Sequence, residues 1–344
     1  MLTILEPTPE SLRKAAEALR AGELVGMPTE TVYGLAGNAF DPAVLARIFE
    51  IKKRPFFDPL IVHVAEFTEV EALVRDVPAD ARLLMERFWP GPITLVLPKT
   101  DRVPDLATAG LDTVAVRMPA HPVARALLRA TGLPLAAPSA NPFGCLSPTT
   151  ALHVAEAFSE GIALVLDGGP CRIGVESTVV GWENGEPVML RPGGISLELL
   201  EETLGKNVAV AANGGEASEG KATASPGNLP WHYAPRTPLR LLTSVANDIP
   251  SPGKPGGGSS GLIWFGAEPA PEGFVLVENL SATADLAEAA EKLFAALHRL
   301  DAAGLDALVA VMVPEQGLGR AINERLRKAA AAPVDHRDQR NRLK

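Results

Sequence analysis

Cysteine is scarce: 344 residues hold only Cys145 and Cys171. They form no CxxC pair and no disulfide framework. Two free thiols in a reducing compartment are the simpler reading, with a single disulfide the alternative. No second histidine or cysteine stands at metal-ligand spacing, so no structural zinc is expected. The first residues, Met1-Leu2-Thr3-Ile4-Leu5-Glu6-Pro7, lack a basic start followed by an apolar stretch, and no apolar run approaches the length of a membrane span. A cytoplasmic protein without membrane partners is therefore expected. Positive charge is outnumbered: 32 Lys and Arg against 41 Asp and Glu give a net charge of −9, which argues against coating nucleic acid by bulk electrostatics. Also missing are a GxxxxGK[ST] loop, a GxSxG elbow, a protein kinase signature and any serine or cysteine nucleophile with a partnered base.

What is present begins with enough chain for two domains and a hydrophobic share of 47%, which supplies a sizeable core. Thr8-Pro9 and Asp41-Pro42 each read as an N-cap with proline in the first turn of a helix. Leu12, Ala15, Ala16 and Leu19 give the first helix its apolar stripe, and Leu45, Ile48 and Phe49 the second, which Pro55 is expected to stop. Strands are expected at residues 24–27, 60–64, 93–97, 113–118, 133–137, 163–166, 177–181 and 188–191, with helices at 79–87, 122–130, 150–158 and 196–204. Interleaved strands and helices predict an α/β domain on a mixed sheet over residues 1–204. Residues 205–236 read as a linker, Gly-, Ala- and Ser-rich at 211–230. Residues 237–344 read as a smaller doubly wound α/β domain, with strands near 239–242, 261–265, 274–278 and 307–313, helices over 285–300 and 319–331, and a Gly/Pro-rich loop at 250–260.

The densest chemistry lies in Pro28-Thr29-Glu30-Thr31-Val32-Tyr33-Gly34 and in Lys52-Lys53-Arg54-Pro55. Basic charge at a helix C-terminus is common by itself. Lys52, however, falls on the buried side of its helix, which sets its ammonium at a pocket edge. Arg54 is stiffly placed for two phosphate oxygens. Strand alternation puts Val114, Val116 and Met118 on one face and Thr113, Ala115 and Arg117 on the other. The second face is a poor core and a good ligand floor, though an ordinary half-exposed strand fits as well. Ser139, after Pro138, and Ser147, opening a helix, suit an anion site or plain capping. Gly174-Val175-Glu176-Ser177-Thr178 and Leu190-Arg191-Pro192-Gly193 set polar groups at strand ends, where ligands bind in open α/β sheets. His63, inside Ile61-Val62-His63-Val64, reads first as a core histidine. Cations, hydroxyls and backbone donors without a nucleophile suit phosphate chemistry by positioning and charge stabilisation, usually with Mg²⁺.

Taken together, Pro28–Gly34, Lys52–Pro55, Asp58-Pro59-Leu60, Ser139-Ala140-Asn141, Gly174–Thr178 and Leu190–Gly193 resemble the YrdC-like domain of the threonylcarbamoyl-AMP synthase family. Ser225-Pro226-Gly227 with His232-Tyr233-Ala234-Pro235 resembles the linker of its longer, two-domain subfamily, and Gly317–Asn323 its C-terminal domain. The resemblance covers nearly the whole chain. It implies an open twisted α/β sheet with a large cavity, plus a smaller Rossmann-like domain. It also implies an ATP-dependent reaction of L-threonine with bicarbonate or CO₂. The product, threonylcarbamoyl-AMP, serves a tRNA threonylcarbamoyl-transferase complex that modifies the adenosine next to the anticodon. Carried over by position, Thr31, His63, Arg117, the backbone at Ala137, and Ser177 hold threonine, with Arg117 on its carboxylate. Arg54, Asp58, Thr113, Ser139, Ser147 and Arg191 hold ATP, Lys52 lies near the phosphates, and Tyr233 reaches back over the nucleotide as part of a lid. Mg²⁺ enters through the phosphates and no protein metal site is implied. Asp58 departs from an asparagine usual in the family, and Asn228-Leu229-Pro230-Trp231 from a more basic linker. As a pocket cation, Arg54 is expected to be essential for adenylate formation and dispensable for folding.

Two other readings compete. One is a double-stranded RNA-binding module, helped by the basic tail Arg337–Lys344, and direct tRNA contact stays open. The other is a different carbamoyl-transfer enzyme, disfavoured because the acylphosphatase and zinc-finger segments of the hydrogenase-maturation carbamoyltransferases are absent.

Overall fold

In the computed structural model, residues 2–211, 232–242 and 259–332 are described. Ser225–Gly227, Asn228–Trp231, most of the 250–260 loop and the tail Arg337–Lys344 lie outside them. The chain divides into two compact units, Met1–Phe143 with Ser147–Leu229, and Gly144–Leu146 with Pro230–Lys344.

The first unit is built on one 11-stranded sheet. In spatial order its strands are Ile4–Leu5, Leu164–Leu166, Val25–Met27, Gly34–Asn38, Leu135–Ala136, Ile61–His63, Thr113–Arg117, Ile93–Pro98, Thr178–Glu183, Glu186–Arg191 and Ala209–Val210. Parallel and antiparallel pairs mix: Ile61–His63 runs parallel to Thr113–Arg117, which runs antiparallel to Ile93–Pro98. The capping signals act as read. Thr8 accepts from the Ser11 N–H and Asp41 from the Ala43 and Val44 N–H groups, with proline following each. Helix Pro9–Arg20 buries Ala15, Ala16 and Leu19 against Leu127 and Leu128 of helix Pro122–Thr131. Helix Pro42–Lys52 buries Leu45, Ile48 and Phe49 in the main core. Its stop differs from the expected one. Lys53 takes a left-handed conformation, φ 52°, and closes the last turn before Pro55 is reached, as an αL cap does.

Strand Gly34–Asn38 was not anticipated. Its sequence, GLAGN, has poor β propensity. Tertiary packing explains the glycine at 37: a Cβ there would stand 2.6 Å from Val44, 2.8 Å from Leu24 and 3.2 Å from Ile48. Helix Pro42–Lys52 rests directly on that backbone.

The second unit carries a four-stranded, all-parallel sheet in the order Leu239–Leu242, Ala307–Val311, Ser260–Trp264, Leu276–Asn279. Helices Leu286–Ala302 and Gly319–Ala330 accompany it, which makes a small α/β unit on a parallel sheet, as the alternation predicted. Asn323 is wholly buried and exchanges hydrogen bonds of 2.9 and 2.7 Å with the Val313 backbone, tying the last helix to the end of its sheet. No helix among the described residues is long and apolar enough to cross a membrane.

Candidate active site

Register places the site. Paired residues on neighbouring strands point to the same face, and alternate residues share it. His63 pairs with Arg117, and the Ala137 N–H donates to Ile61, two residues before His63. Val96 pairs with Ala115, two residues from Arg117, so Thr94 shares their face. Thr94 in turn pairs with Val179, two residues after Ser177. Arg191 joins the row only through a β-bulge. The register shifts between Met189 and Arg191, so that Arg191 pairs with Val179 and not Thr178; a bulge commonly re-aims a side chain in this way. Six consecutive strands of the sheet thus bring Ala137, His63, Arg117, Thr94, Ser177 and Arg191 into one line. The opposite face is apolar, with Val62, Val116, Leu95 and Val180 in the main core.

Every polar member of that line is enclosed: Thr94 is 0% exposed, Ser177 1%, His63 2%, and Arg117 and Arg191 4% each. Buried charge needs partners. Arg117 finds Glu30 at 2.6 Å, the Thr31 hydroxyl at 2.9 Å and the Gly91 carbonyl at 3.3 Å. The other Glu30 oxygen accepts from the N–H groups of Ala120 and His121. Burial pushes the Glu30 carboxyl up, but the Arg117 charge and these hydrogen bonds outweigh it and hold the group below its ordinary value. His63 is driven down to about 3, first by burial and then by the Arg117 charge. It is neutral at physiological pH, and its Nδ1 meets no hydrogen-bond partner among the described residues. A satisfied core histidine would not leave that atom open.

Around the line, backbone bonds gather the loops. The Tyr33 N–H donates to Pro148, Ala140 N–H to Tyr33 and Ile173 N–H to Glu30. Pro28–Gly34 is thereby laced to the Ser139 and Ser147 loops and to the segment before Gly174. Arg191 donates to the Ser177 carbonyl at 2.9 and 3.2 Å and to its hydroxyl at 3.3 Å. Ser147 Oγ donates to Glu176. Lys52 is 1% exposed, and its Nζ donates to the carbonyls of Ser139 and Asn141. The ammonium thus ties down the Ser139–Asn141 loop.

Arg54 corrects one expectation. It is 7% exposed, pairs with fully buried Asp58 at 2.9 Å, and donates to the carbonyls of Asp58 and Pro59. Such a cation is part of the fold, because its removal would take the paired charge from a buried carboxylate. Asp58 is its charge partner. Thr113 begins the Thr113–Arg117 strand on the Arg117 face and is half-buried.

Glu30 and Thr94 escaped the reading of the sequence. Glu30 stood inside the singled-out turn beside Thr31, but nothing local linked it to Arg117, 87 residues away. Thr94 looked like an ordinary β-branched strand residue; the available signal was period-two alternation within Ile93–Pro98.

Tyr233 belongs to the second unit. It is 1% exposed, with the Arg325 guanidinium 5.0 Å from its ring centre and Phe294 at 5.7 Å. Its φ of 58° is left-handed, unusual for a bulky residue. Next to it, Ala234 N–H donates to the Gly144 carbonyl at 2.8 Å, and Ala234 forms a parallel bridge with Cys145. Neither cysteine is in a disulfide. Burial, first of all, raises the Cys171 thiol, which makes it a poor nucleophile.

Residues 17–193 match the protein family described as "Telomere recombination", and residues 195–331 the family "Threonylcarbamoyl-AMP synthase, C-terminal domain". A threonylcarbamoyl-AMP synthase of Pyrococcus abyssi is 45% identical over 327 residues, spanning 93% of this chain and 94% of that protein. One from Bacillus subtilis is 42% identical over 327 residues, spanning 94% of each. A crystal structure of the P. abyssi protein complexed with L-threonine superposes with a TM-score of 0.84 at 40% identity, over 96% of this chain and 97% of that one.

Proposed function

We propose a reaction from one premise: the chain belongs to the threonylcarbamoyl-AMP synthase family. It makes threonylcarbamoyl-AMP and pyrophosphate from L-threonine, bicarbonate or CO₂, and ATP, and is by class a nucleotidyltransferase. The observation that carries this reading is the line His63, Arg117, Ser177, Arg191 on one buried sheet face. An amino acid and a nucleotide can share that floor.

Arg117 receives the threonine carboxylate, steadied by Glu30 and Thr31. Neutral His63 offers Nδ1 as an acceptor to a substrate N–H or O–H, and Ser177 and the Ala137 backbone complete the amino-acid side. Arg54, Asp58, Thr113, Ser139, Ser147 and Arg191 serve the nucleotide, with Lys52 keeping the Ser139 loop against the phosphates. The threonine amine, having lost a proton, attacks the carbon of CO₂; one C=O π bond opens onto oxygen, and the nitrogen gives up a second proton to solvent to leave a carbamate. A carbamate oxygen then attacks the α-phosphorus of ATP, the bond to the β-phosphate oxygen breaks, and pyrophosphate leaves. No covalent enzyme intermediate is needed. Positioning and fixed positive charge supply the acceleration.

No three His, Cys, Asp or Glu side chains cluster as a metal site among the described residues. Mg²⁺ would be carried by the triphosphate, where it offsets negative charge on the leaving group. The enzyme works in the cytoplasm and passes its adenylate to the complex that modifies tRNA.

Pyrophosphate release from ATP, measured with and without L-threonine and bicarbonate, tests the proposal. Dependence on all three substrates is expected. Release from ATP alone would mark a general ATPase and refute it.

A further inference from the structure

Thr94 stands in the row between Arg117 and Ser177, and no role has been assigned to it. Its side chain is 0% exposed, in a strand whose neighbours Ile93, Leu95 and Leu97 all belong to the core. A hydroxyl there needs a reason, since valine would fill the same space without a polar group to satisfy. Its partner is the Ser177 hydroxyl at 2.7 Å, a distance at which either oxygen can donate.

Proton counting shows which direction would serve a substrate. The Ser177 hydroxyl has one hydrogen and two lone pairs. Arg191 Nη2 donates to one lone pair. If Thr94 donates to the other, the Ser177 hydrogen has no acceptor left within this group and must be aimed at whatever lies over the floor. If Ser177 donated to Thr94, it would offer a ligand nothing but an occupied oxygen. Only the first arrangement makes Ser177 a donor to a substrate oxygen.

We propose that Thr94 is a positioning residue that, with Arg191, saturates the Ser177 oxygen and presents the Ser177 O–H to a substrate carboxylate or carbamate oxygen. The inference rests on the functional reading above and deepens its amino-acid side. It also ties the two substrates together. Arg191 serves the nucleotide side and grips the Ser177 carbonyl as well, so one serine feels both halves of the site.

The test is steady-state kinetics of the full-length Thr94→Val and Thr94→Ser proteins, with unfolding midpoints measured beside them. Thr94→Val keeps the shape and removes the hydroxyl. It should raise KM for L-threonine about tenfold, the effect of one buried hydrogen bond, with a much smaller change in KM for ATP. Thr94→Ser should restore the wild-type KM. In a Ser177→Ala background, Thr94→Val should add nothing further. Equal KM values for wild type and Thr94→Val would overturn the inference. So would a loss of thermal stability in Thr94→Val without a threonine effect, which would mark a merely structural hydroxyl. If Thr94→Val does not fold, the comparison of Thr94→Ala with Thr94→Ser carries the same test: a raised threonine KM in the alanine protein alone supports the inference, and equal values refute it. Failure of the wild type to need threonine at all would sink the functional reading instead, and is separately visible.

Discussion

Arg117 Nη2 lies 2.6 Å from Glu30 Oε1 with both side chains buried, so the cation assigned to the substrate carboxylate is already neutralised before any substrate arrives. The pairing explains how a charged floor survives inside the sheet. It also implies that Glu30 aims the guanidinium, whose bonds to Gly91, Thr31 and Glu30 use three of its five N–H donors and leave two for a substrate carboxylate.

Glu30→Gln should therefore be felt twice. Removing one member of a buried ion pair destabilises by about 3–5 kcal/mol, and the amide keeps enough hydrogen bonding to put this change at the lower end. Urea unfolding reads that loss. The threonine KM should rise as well, because the Arg117 fork loses its fixed partner. A variant that is less stable but unchanged in threonine KM would show that Glu30 only supports the fold.

Much of this architecture was written locally. The Thr8-Pro9 and Asp41-Pro42 caps, the buried stripe at Leu45, Ile48 and Phe49, and the two faces of Thr113–Met118 depend on neighbours in sequence, and the structure bears them out. What stayed hidden depends on distant chain. The buried side of Lys52 was legible, but its acceptors, Ser139 and Asn141, lie 87 and 89 residues away. The β-bulge that turns Arg191 onto the site face leaves no mark in Val188-Met189-Leu190-Arg191. Strand Gly34–Asn38 was concealed because Gly37 answers to a helix packing from outside, not to β propensity.

Arg54→Ala should abolish adenylate formation and also weaken the fold, by about 3–5 kcal/mol, since Asp58 would be left buried without its cation. Arg54→Ala/Asp58→Asn should recover most of the stability and none of the activity. Matched denaturant titrations and pyrophosphate assays of both proteins decide it. An Arg54→Ala protein as stable as wild type would contradict the buried pair.

His63 gives the fold a pH dependence in a defined window. Its folded value lies near 3 and the ordinary value is 6.5, so below pH 6.5 the unfolded chain binds a proton that the folded one does not. The stability this contributes is complete above pH 6.5 and is lost as pH falls towards 3, at a limiting slope of about 1.4 kcal/mol per pH unit. Between pH 6 and 5, where carboxylates remain mostly ionised, His63→Gln should flatten the curve of unfolding free energy against pH. A wild-type curve as flat as the variant's would show that His63 is not buried in its neutral form.

Gly193 is the tightest backbone contact beneath the Ser177–Arg191 pair. A Cβ at that position would stand 2.3 Å from the Glu176 carbonyl oxygen and 2.4 Å from both the Ser177 carbonyl carbon and the Thr178 nitrogen. These are main-chain atoms that cannot swing aside, so alanine must push the segment after Arg191 away from the strand that begins after Ser177. Gly193→Ala should cost about 1–3 kcal/mol in stability, as overpacking does, and should raise KM for L-threonine and ATP together, because Arg191 loses its purchase on the Ser177 carbonyl. Gly185→Ala supplies the control. Gly185 has a φ of 84° and open space around its Cβ direction, so alanine there strains a turn without reaching the site. It should lower stability and leave both KM values alone. Equal KM values for Gly193→Ala and Gly185→Ala would mean that the close approach of these two segments does not set the site geometry.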